Sequence, residues 1–308
     1  MPELPEVETT RRDLAARIVG RTITDFALLP GAERLLRGVP AAALRDRLCG
    51  ATITDVGRHG KYLLIGLGDG PILVVHLRMT GSLRHRRLGA PPDDFLRARL
   101  PLDDGSELRF VDVRKFGTLD LVDDPAEALS KLGPDAIDPA FDLKALWQGL
   151  RGRRAPVKSM LLDQRFVAGI GNIYADEALF LARLHPEAPS GSLRPAERAA
   201  LHAAIGQVLR DGIANRGASF RDYTDADGAE GGQQYFVRVF RRTDQPCDDC
   251  DATIRRSIVG GRASHWCPRC QPAAQKRRRV RSTRRPAARR ARSAAASLSP
   301  TTPDGSAP

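Results

Sequence analysis

The chain opens Met1-Pro2-Glu3-Leu4-Pro5-Glu6. Removal of Met1 would leave Pro2 as a free secondary amine with a carboxylate, Glu3, beside it. An α-amino group titrates near 7.7–8.0 and a lysine near 10.4, so at neutral pH about a tenth of the former is unprotonated against about 0.04% of the latter. The pyrrolidine nitrogen is more basic than a primary amine, which takes back part of that advantage. Its adduct with an aldehyde-level carbon is an iminium ion that keeps its charge and draws electrons from the neighbouring bond, the property that makes amines useful covalent catalysts. Glu3 then stands as the acid or base that moves the proton.

Near the other end, Cys247-x2-Cys250 and Cys267-x2-Cys270 have the spacing of a four-cysteine metal ribbon. Each pair can bend around one tetrahedral ion, and four sulfurs leave no open position, so a zinc ion there is structural. Residues 253–259, Gly260-Gly261 and residues 262–266 read as a hairpin between the pairs, with Arg262 beside the turn where a phosphate could meet it. The chain shows no secretory signal, and the reducing compartment this implies disfavours disulfides. Cys49 is expected to be a small buried hydrophobe.

These groups need elements to hold them. Val7, Leu14 and Ile18 share one face of a helix that starts near Pro5 and stops at Gly20. Strands are expected at 22–28, 51–56, 61–67, 72–77, 96–102 and 107–111, forming a β-sandwich with that helix on its flank. Lys61 opens one strand after Gly57-Arg58-His59-Gly60, read as a loop able to approach a phosphate. After Pro134 the pattern turns helical, with segments near 142–150, 156–164, 173–183 and 195–214. Between them, Gly169-Ile170-Gly171-Asn172 allows a tight reversal in which Asn172 caps a helix whose N–H groups face outward to bind phosphate; the alternative is a plain helix-turn-helix corner with a satisfied cap. Residues 217–235 are glycine-rich and polar, and read as a mobile lid or a disordered linker.

The 308 residues suffice for more than one core, and no apolar run approaches membrane-spanning length. Ten of the 49 Lys and Arg but one of the 37 Asp and Glu lie in residues 271–308, so this stretch carries +9 of the formal +12. It is expected to be disordered, either a basic arm that holds duplex by counterion release or a solvated extension. The rest of the chain is only mildly basic, so a polyanion site on it must come from local placement.

The blocks Pro2-Glu3-Leu4-Pro5-Glu6-Val7-Glu8-Thr9, Gly60-Lys61-Tyr62-Leu63-Leu64, His76-Leu77-Arg78-Met79-Thr80-Gly81-Ser82-Leu83, Gly169-Ile170-Gly171-Asn172-Ile173-Tyr174 and the four-cysteine ribbon resemble formamidopyrimidine-DNA glycosylases, in the right order from Pro2 to about Gln271. The resemblance implies an α+β multidomain chain: a catalytic β-sandwich domain at 1–134, a helix-two-turns-helix DNA-binding domain with a lid at 135–243, a zinc finger at 244–272 and a basic tail at 273–308. It implies that Pro2 attacks the anomeric carbon of a damaged nucleotide and that the iminium drives elimination of both flanking phosphates. Glu3 is implied as proton donor to the sugar, Glu6 as its support, and Lys61 as the group that helps the base depart. His76, Asn172 and Arg262, with Lys158, are implied to hold a kinked DNA backbone. The lesion must be everted from the stack, and Met79, Arg114 and Phe116 are implied to fill the gap. Double-stranded DNA with oxidised purines is the implied partner, with one zinc ion in the ribbon; a monomer is expected because no heptad or long edge signal points otherwise, and a cytoplasmic location because no secretory signal is read. Two alternatives stand beside this: an endonuclease VIII type acting on oxidised pyrimidines, whose members usually begin Pro-Glu-Gly-Pro-Glu where this chain has Leu4, and a catalytically silent DNA-binding protein. Phe240-Arg241 stands where the family commonly has Tyr-Gly.

Overall fold

A computed structural model describes residues 1–37 and 39–273, so the basic tail expected from residue 273 onward lies, apart from that residue, outside the described part. The first helix, α1 (Leu4–Ile18), starts where Pro5 fits a first turn, and the Glu6 carboxylate accepts the Glu3 N–H at 2.7 Å. Eight strands follow, β1 (Ala27–Leu28), β2 (Ile53–His59), β3 (Tyr62–Leu67), β4 (Ile72–His76), β5 (Gly81–Arg87), β6 (Leu96–Pro101), β7 (Ser106–Asp112) and β8 (Thr118–Val122), with helix α2 (Ala41–Leu48) between β1 and β2. They form two four-stranded antiparallel sheets, in the orders β1-β6-β7-β5 and β2-β3-β4-β8. Alternating residues of both, such as Leu63, Ile65, Leu100 and Leu108, meet Val7, Leu14 and Ile18 of α1 in one core. The sandwich with its flanking helix is therefore as the alternation demands.

Four local expectations change. The stretch 22–28 is a strand only at Ala27–Leu28: Thr22 bridges to Thr52 and Ile23 to Leu102, so the segment crosses between the sheets and cannot stay in one ladder. Strand β5 was hidden by its Arg84, His85, Arg86 and Arg87, which look like a solvated loop; Arg87 is exposed, but Arg84 and Arg86 bond Asp93, and His85 and Arg86 bond the backbone at Ala226 and Asp227. Residues 57–60 are not a loop. Gly57, Arg58 and His59 finish β2, and only Gly60 and Lys61 make the turn to β3, Gly60 with φ +57°. Cys49 is half-buried rather than buried.

After a short helix α3 (Pro125–Leu129), helices α4 (Leu143–Leu150), α5 (Val157–Leu162), α6 (Asn172–Leu181) and α7 (Pro195–Ala214) fall close to their expected bounds. They enclose a second core built on Leu146, Leu161, Tyr174 and Ile205. The hairpin β9 (Arg255–Val259) and β10 (Arg262–Trp266) turns at Gly260-Gly261 and seats on α6 through Phe180, Val239, Ile254 and two of the cysteines. Among the described residues no helix is long and apolar enough to cross a membrane.

Segment 217–235 is packed rather than a free linker. Ala218 donates its N–H to Glu6, Tyr223 and Asp225 are buried, and Ala226 is fully buried in the sandwich core, where its carbonyl accepts from His85 N at 2.9 Å. Single apolar residues spaced along a polar loop give no periodic signal, yet each is an anchor.

Candidate active site

Helix α1 belongs to both cores: Leu4 packs in the helical core while Val7, three residues on, packs in the sandwich. Pro2 and Glu3 therefore sit at the seam, and both are buried. The seam is fastened beside them by Arg58, which bonds Glu8 at 3.0 Å and Asp135 from the helical half; Asp135 also accepts the Gly60 N–H at 2.6 Å. Removing one partner of so buried a pair costs about 3–5 kcal/mol.

The Glu3 carboxylate lies across the start of α6, accepting the N–H groups of Ile173 at 3.0 Å and Tyr174 at 3.4 Å. This corrects the expectation for the glycine corner: the first free N–H groups of that helix point inward to a carboxylate of the same chain, and Gly171, not Asn172, is the N-cap. The macrodipole and two N–H donors favour a negative charge there. The approach requires a missing side chain, since a Cβ on Gly171 would come within 2.2 Å of Glu3 Cδ. Glu6 is the hub behind it. Its carboxylate accepts from Glu3 N, Tyr174 OH (2.7 Å) and Ala218 N (2.8 Å), joining α1, α6 and the 217–223 loop. Burial and the nearby Glu3 charge raise the Glu6 pKa against these hydrogen bonds.

Lys61, at the tip of the β2–β3 turn, is buried and donates to Ile170 O at 3.0 Å; Gln164 donates to the same carbonyl at 2.8 Å and accepts Gly169 N. Burial lowers the Lys61 pKa, Glu3 and Glu6 oppose that, and Arg262 adds to it. His76, at the end of β4, packs edge-on to Tyr62 and accepts the Arg78 N–H on Nδ1 at 2.9 Å. Burial, with the charges of Arg78, Lys61 and Arg37, holds its pKa down at about 3. His76 is thus neutral, with Nε2–H as its donor.

Met1, Glu3, Lys61, His76, Met79, Arg114, Asn172 and Arg262 line one cavity of about 580 Å³. Residues separated by most of the chain converge on it. At its rim, Asp112, buried at the end of β7, accepts Arg114 N at 3.1 Å and Gly117 N at 2.8 Å and binds Thr80. That places exposed Met79, Arg114 and Phe116 on one edge, with the Arg114 guanidinium 4.7 Å from the Phe116 ring centre. Arg262 is exposed at the hairpin turn, and Asn172 donates to Ala263 O at 3.0 Å. Lys158 does not join them. It is fully buried, paired with Asp176 at 2.6 Å and donating to Ala263 O at 2.7 Å, so its amine is committed within the protein and fixes the hairpin strand that carries Arg262. Its counter-charge lies eighteen residues along the chain, at Asp176, which no local pattern announces. Tyr174 and Gln164, which set Glu6 and the glycine corner, were also missed as functional; Tyr174 lay within a motif, Gln164 carried no signal.

The four Sγ atoms of Cys247, Cys250, Cys267 and Cys270 lie within 4.8 Å of one another, with Cys250–Cys267 at 3.4 Å and Cys247–Cys270 at 3.9 Å. A tetrahedral ion with metal–sulfur bonds of about 2.3 Å spaces its ligands about 3.8 Å apart, so the set fits one metal ion.

Residues 1–119 match the formamidopyrimidine-DNA glycosylase N-terminal domain, residues 132–224 the formamidopyrimidine-DNA glycosylase H2TH domain, and residues 244–273 the zinc finger found in FPG and IleRS. The formamidopyrimidine-DNA glycosylase of Symbiobacterium thermophilum is 46% identical over 276 residues, covering 88% of this chain and 90% of that protein. That of Pelotomaculum thermopropionicum is 43% identical over 276 residues, 88% and 99% of the two chains. Among solved structures, the complex between the Lactococcus lactis Fpg and an abasic site containing DNA aligns with a TM-score of 0.81 at 36% identity, covering 88% of this chain and 99% of that one. The complex of the Lactococcus lactis protein with Fapy-dG containing DNA aligns with a TM-score of 0.80 at 36% identity, covering 88% and 100%.

Proposed function

The chain belongs to the formamidopyrimidine-DNA glycosylase family, and from that premise we propose a base excision repair enzyme that removes oxidised purines, 8-oxoguanine and formamidopyrimidines, from double-stranded DNA and then cleaves the strand as a lyase. The observation that carries the reading is the convergence of Glu3, Lys61, His76, Asn172 and Arg262 on one cavity at the chain's N-terminus.

While Met1 is attached, the Pro2 nitrogen is an amide with no pair to donate; its removal creates the nucleophile. The ring nitrogen bonds to C1′ as the base leaves, and the proton it sheds passes to Glu3 and on to O4′, opening the sugar to an iminium ion. That cation acidifies the neighbouring C2′, so loss of its proton expels the 3′ phosphate, and a second elimination expels the 5′ phosphate. Glu3 suits the relay because two N–H groups and a helix start hold its carboxylate in place. Lys61, an amine kept from water, aids departure of the base. Neutral His76 offers its Nε2–H to phosphate, while Asn172 and Arg262 hold the bent strand from the helical side. Met79, Arg114 and Phe116 occupy the space the everted nucleotide leaves, which costs a few kcal/mol of unstacking.

Cys247, Cys250, Cys267 and Cys270 would hold one zinc ion; it supplies rigidity to the hairpin and no chemistry to the sugar. The Lactococcus lactis protein has also been solved with an oxidized pyrimidine containing DNA, so lesion choice is the point to test. Single-turnover rates on duplexes bearing 8-oxoguanine or dihydrouracil decide it: the purine should be released faster, and faster release of the pyrimidine would overturn the assignment.

A further inference from the structure

A second cavity, of about 680 Å³, lies outside the first, and three residues line both: Phe220, Phe240 and Arg241. They form the wall between the two spaces. Phe240 is buried, and Phe220 meets it edge-on with ring centres 5.2 Å apart. The Arg241 guanidinium lies 5.0 Å from the Phe220 ring centre and 5.9 Å from that of Phe240, and among the described residues it has no hydrogen-bonding or ionic partner. Arg241 also sits at φ +60°, where a Cβ is disfavoured and glycine is the natural occupant.

The loop that carries Phe220 is tied at its base, where Ala218 N bonds Glu6 and Ser219 N bonds Gln234. At its tip Arg221 and Asp222 are exposed and line the reaction cavity. Tyr223, buried and donating to Glu6 O at 3.2 Å, fastens the far side of that tip, and the aromatic and cationic stack at Phe220 fastens the near side. An arginine that tolerates a strained backbone to lie on a loop aromatic, with its charge otherwise unused, is placed to hold the loop.

We infer that Arg241 is a positioning residue: through Phe220 it holds the 219–223 loop over the cavity and thereby retains an everted base. This rests on the glycosylase reading for its consequence, but the loop contact stands without it. Arg241→Gly removes the stack and relieves the backbone. In metal-loaded protein without DNA, amide exchange across 219–223 should quicken about two- to fivefold, the worth of an exposed cation–π contact, while Tm does not fall. Arg241→Lys keeps the charge and the left-handed backbone but lacks the flat guanidinium face, so exchange should quicken by less than in the glycine variant. On DNA, the ratio of KM on an 8-oxoguanine duplex to KM on an abasic duplex should rise by a similar factor, because an abasic site has no base to retain. Unchanged exchange in Arg241→Gly would overturn the inference. So would equal losses on both duplexes rescued by Arg241→Lys, which would make Arg241 a phosphate contact. Failure of the glycosylase reading would show instead as no turnover by the parent on either duplex, leaving the exchange result intact.

Discussion

Gly171→Ala isolates what the Glu3 carboxylate does. The backbone there is extended (φ −126°), so alanine is conformationally allowed and the perturbation is steric. The new Cβ would lie 2.2 Å from Glu3 Cδ and 2.5 and 2.6 Å from its oxygens. Carbon atoms settle near 3.5 Å, so the carboxylate must retreat by more than about 1 Å. It then leaves its bonds to Ile173 N and Tyr174 N, each worth about 1.5–3 kcal/mol as a hydrogen bond to a charged group. A displacement of about 1 Å in a catalytic group costs about 10²-fold, and loss of general acid–base help 10²–10⁴-fold, so excision should slow by roughly 10²–10³. Asn172 and Arg262 keep their attachments, so duplex affinity should change by less than about threefold. Single-turnover excision from an 8-oxoguanine duplex, with Kd measured in parallel on an abasic analogue, separates the two. An excision rate within about threefold of the parent would refute the role given to Glu3.

Glu6→Gln should destabilise the fold by about 1–3 kcal/mol in denaturant unfolding, because both Glu6 oxygens accept N–H or O–H donors and an amide must turn its NH2 on one of them; an unchanged midpoint would show that the hub is not formed. Stability should fall on the acid side through Glu8. Burial would raise its pKa, but hydrogen bonds from Arg11, Arg12 and Arg58 outweigh that and hold it at about 2 against an ordinary 4.5. The folded value lies below the unfolded one, so up to roughly 3 kcal/mol is present above about pH 4.5 and lost as pH falls through about 2. Glu8→Gln should flatten that part of the stability curve, and an unaltered slope there would contradict the assignment. Cys267→Ser, or chelation, should release the metal and weaken duplex affinity before it slows chemistry on bound DNA; metal-free protein with parental affinity would refute a structural ion.

The helices were legible because their signals are local: the Pro and Gly breaks and the apolar spacing of α4 to α7 need no distant partner. The four-cysteine hairpin was legible for the same reason, its Gly260-Gly261 turn lying between two Cys-x2-Cys pairs. What escaped depends on partners far along the chain. Strand β5 reads as polar until Asp93 and the backbone at Ala226 and Asp227 meet Arg84 and Arg86. Lys158 reads as a phosphate ligand until Asp176 encloses it. The glycine corner reads as an open anion site until Glu3, 170 residues away, occupies its N–H groups. Charge is a weak guide to exposure when the counter-charge is distant in sequence, since a paired and hydrogen-bonded ion can be buried where a lone one cannot.

The covalent link to the sugar is the claim on which the rest depends. Protein whose intact mass shows loss of Met1 should be mixed with a duplex carrying 8-oxoguanine, reduced with borohydride during turnover, and mapped by peptide mass. A deoxyribose-derived adduct on the Pro2 nitrogen is the predicted result. An adduct on Lys61, or no trapped complex while the base is still released, would contradict it.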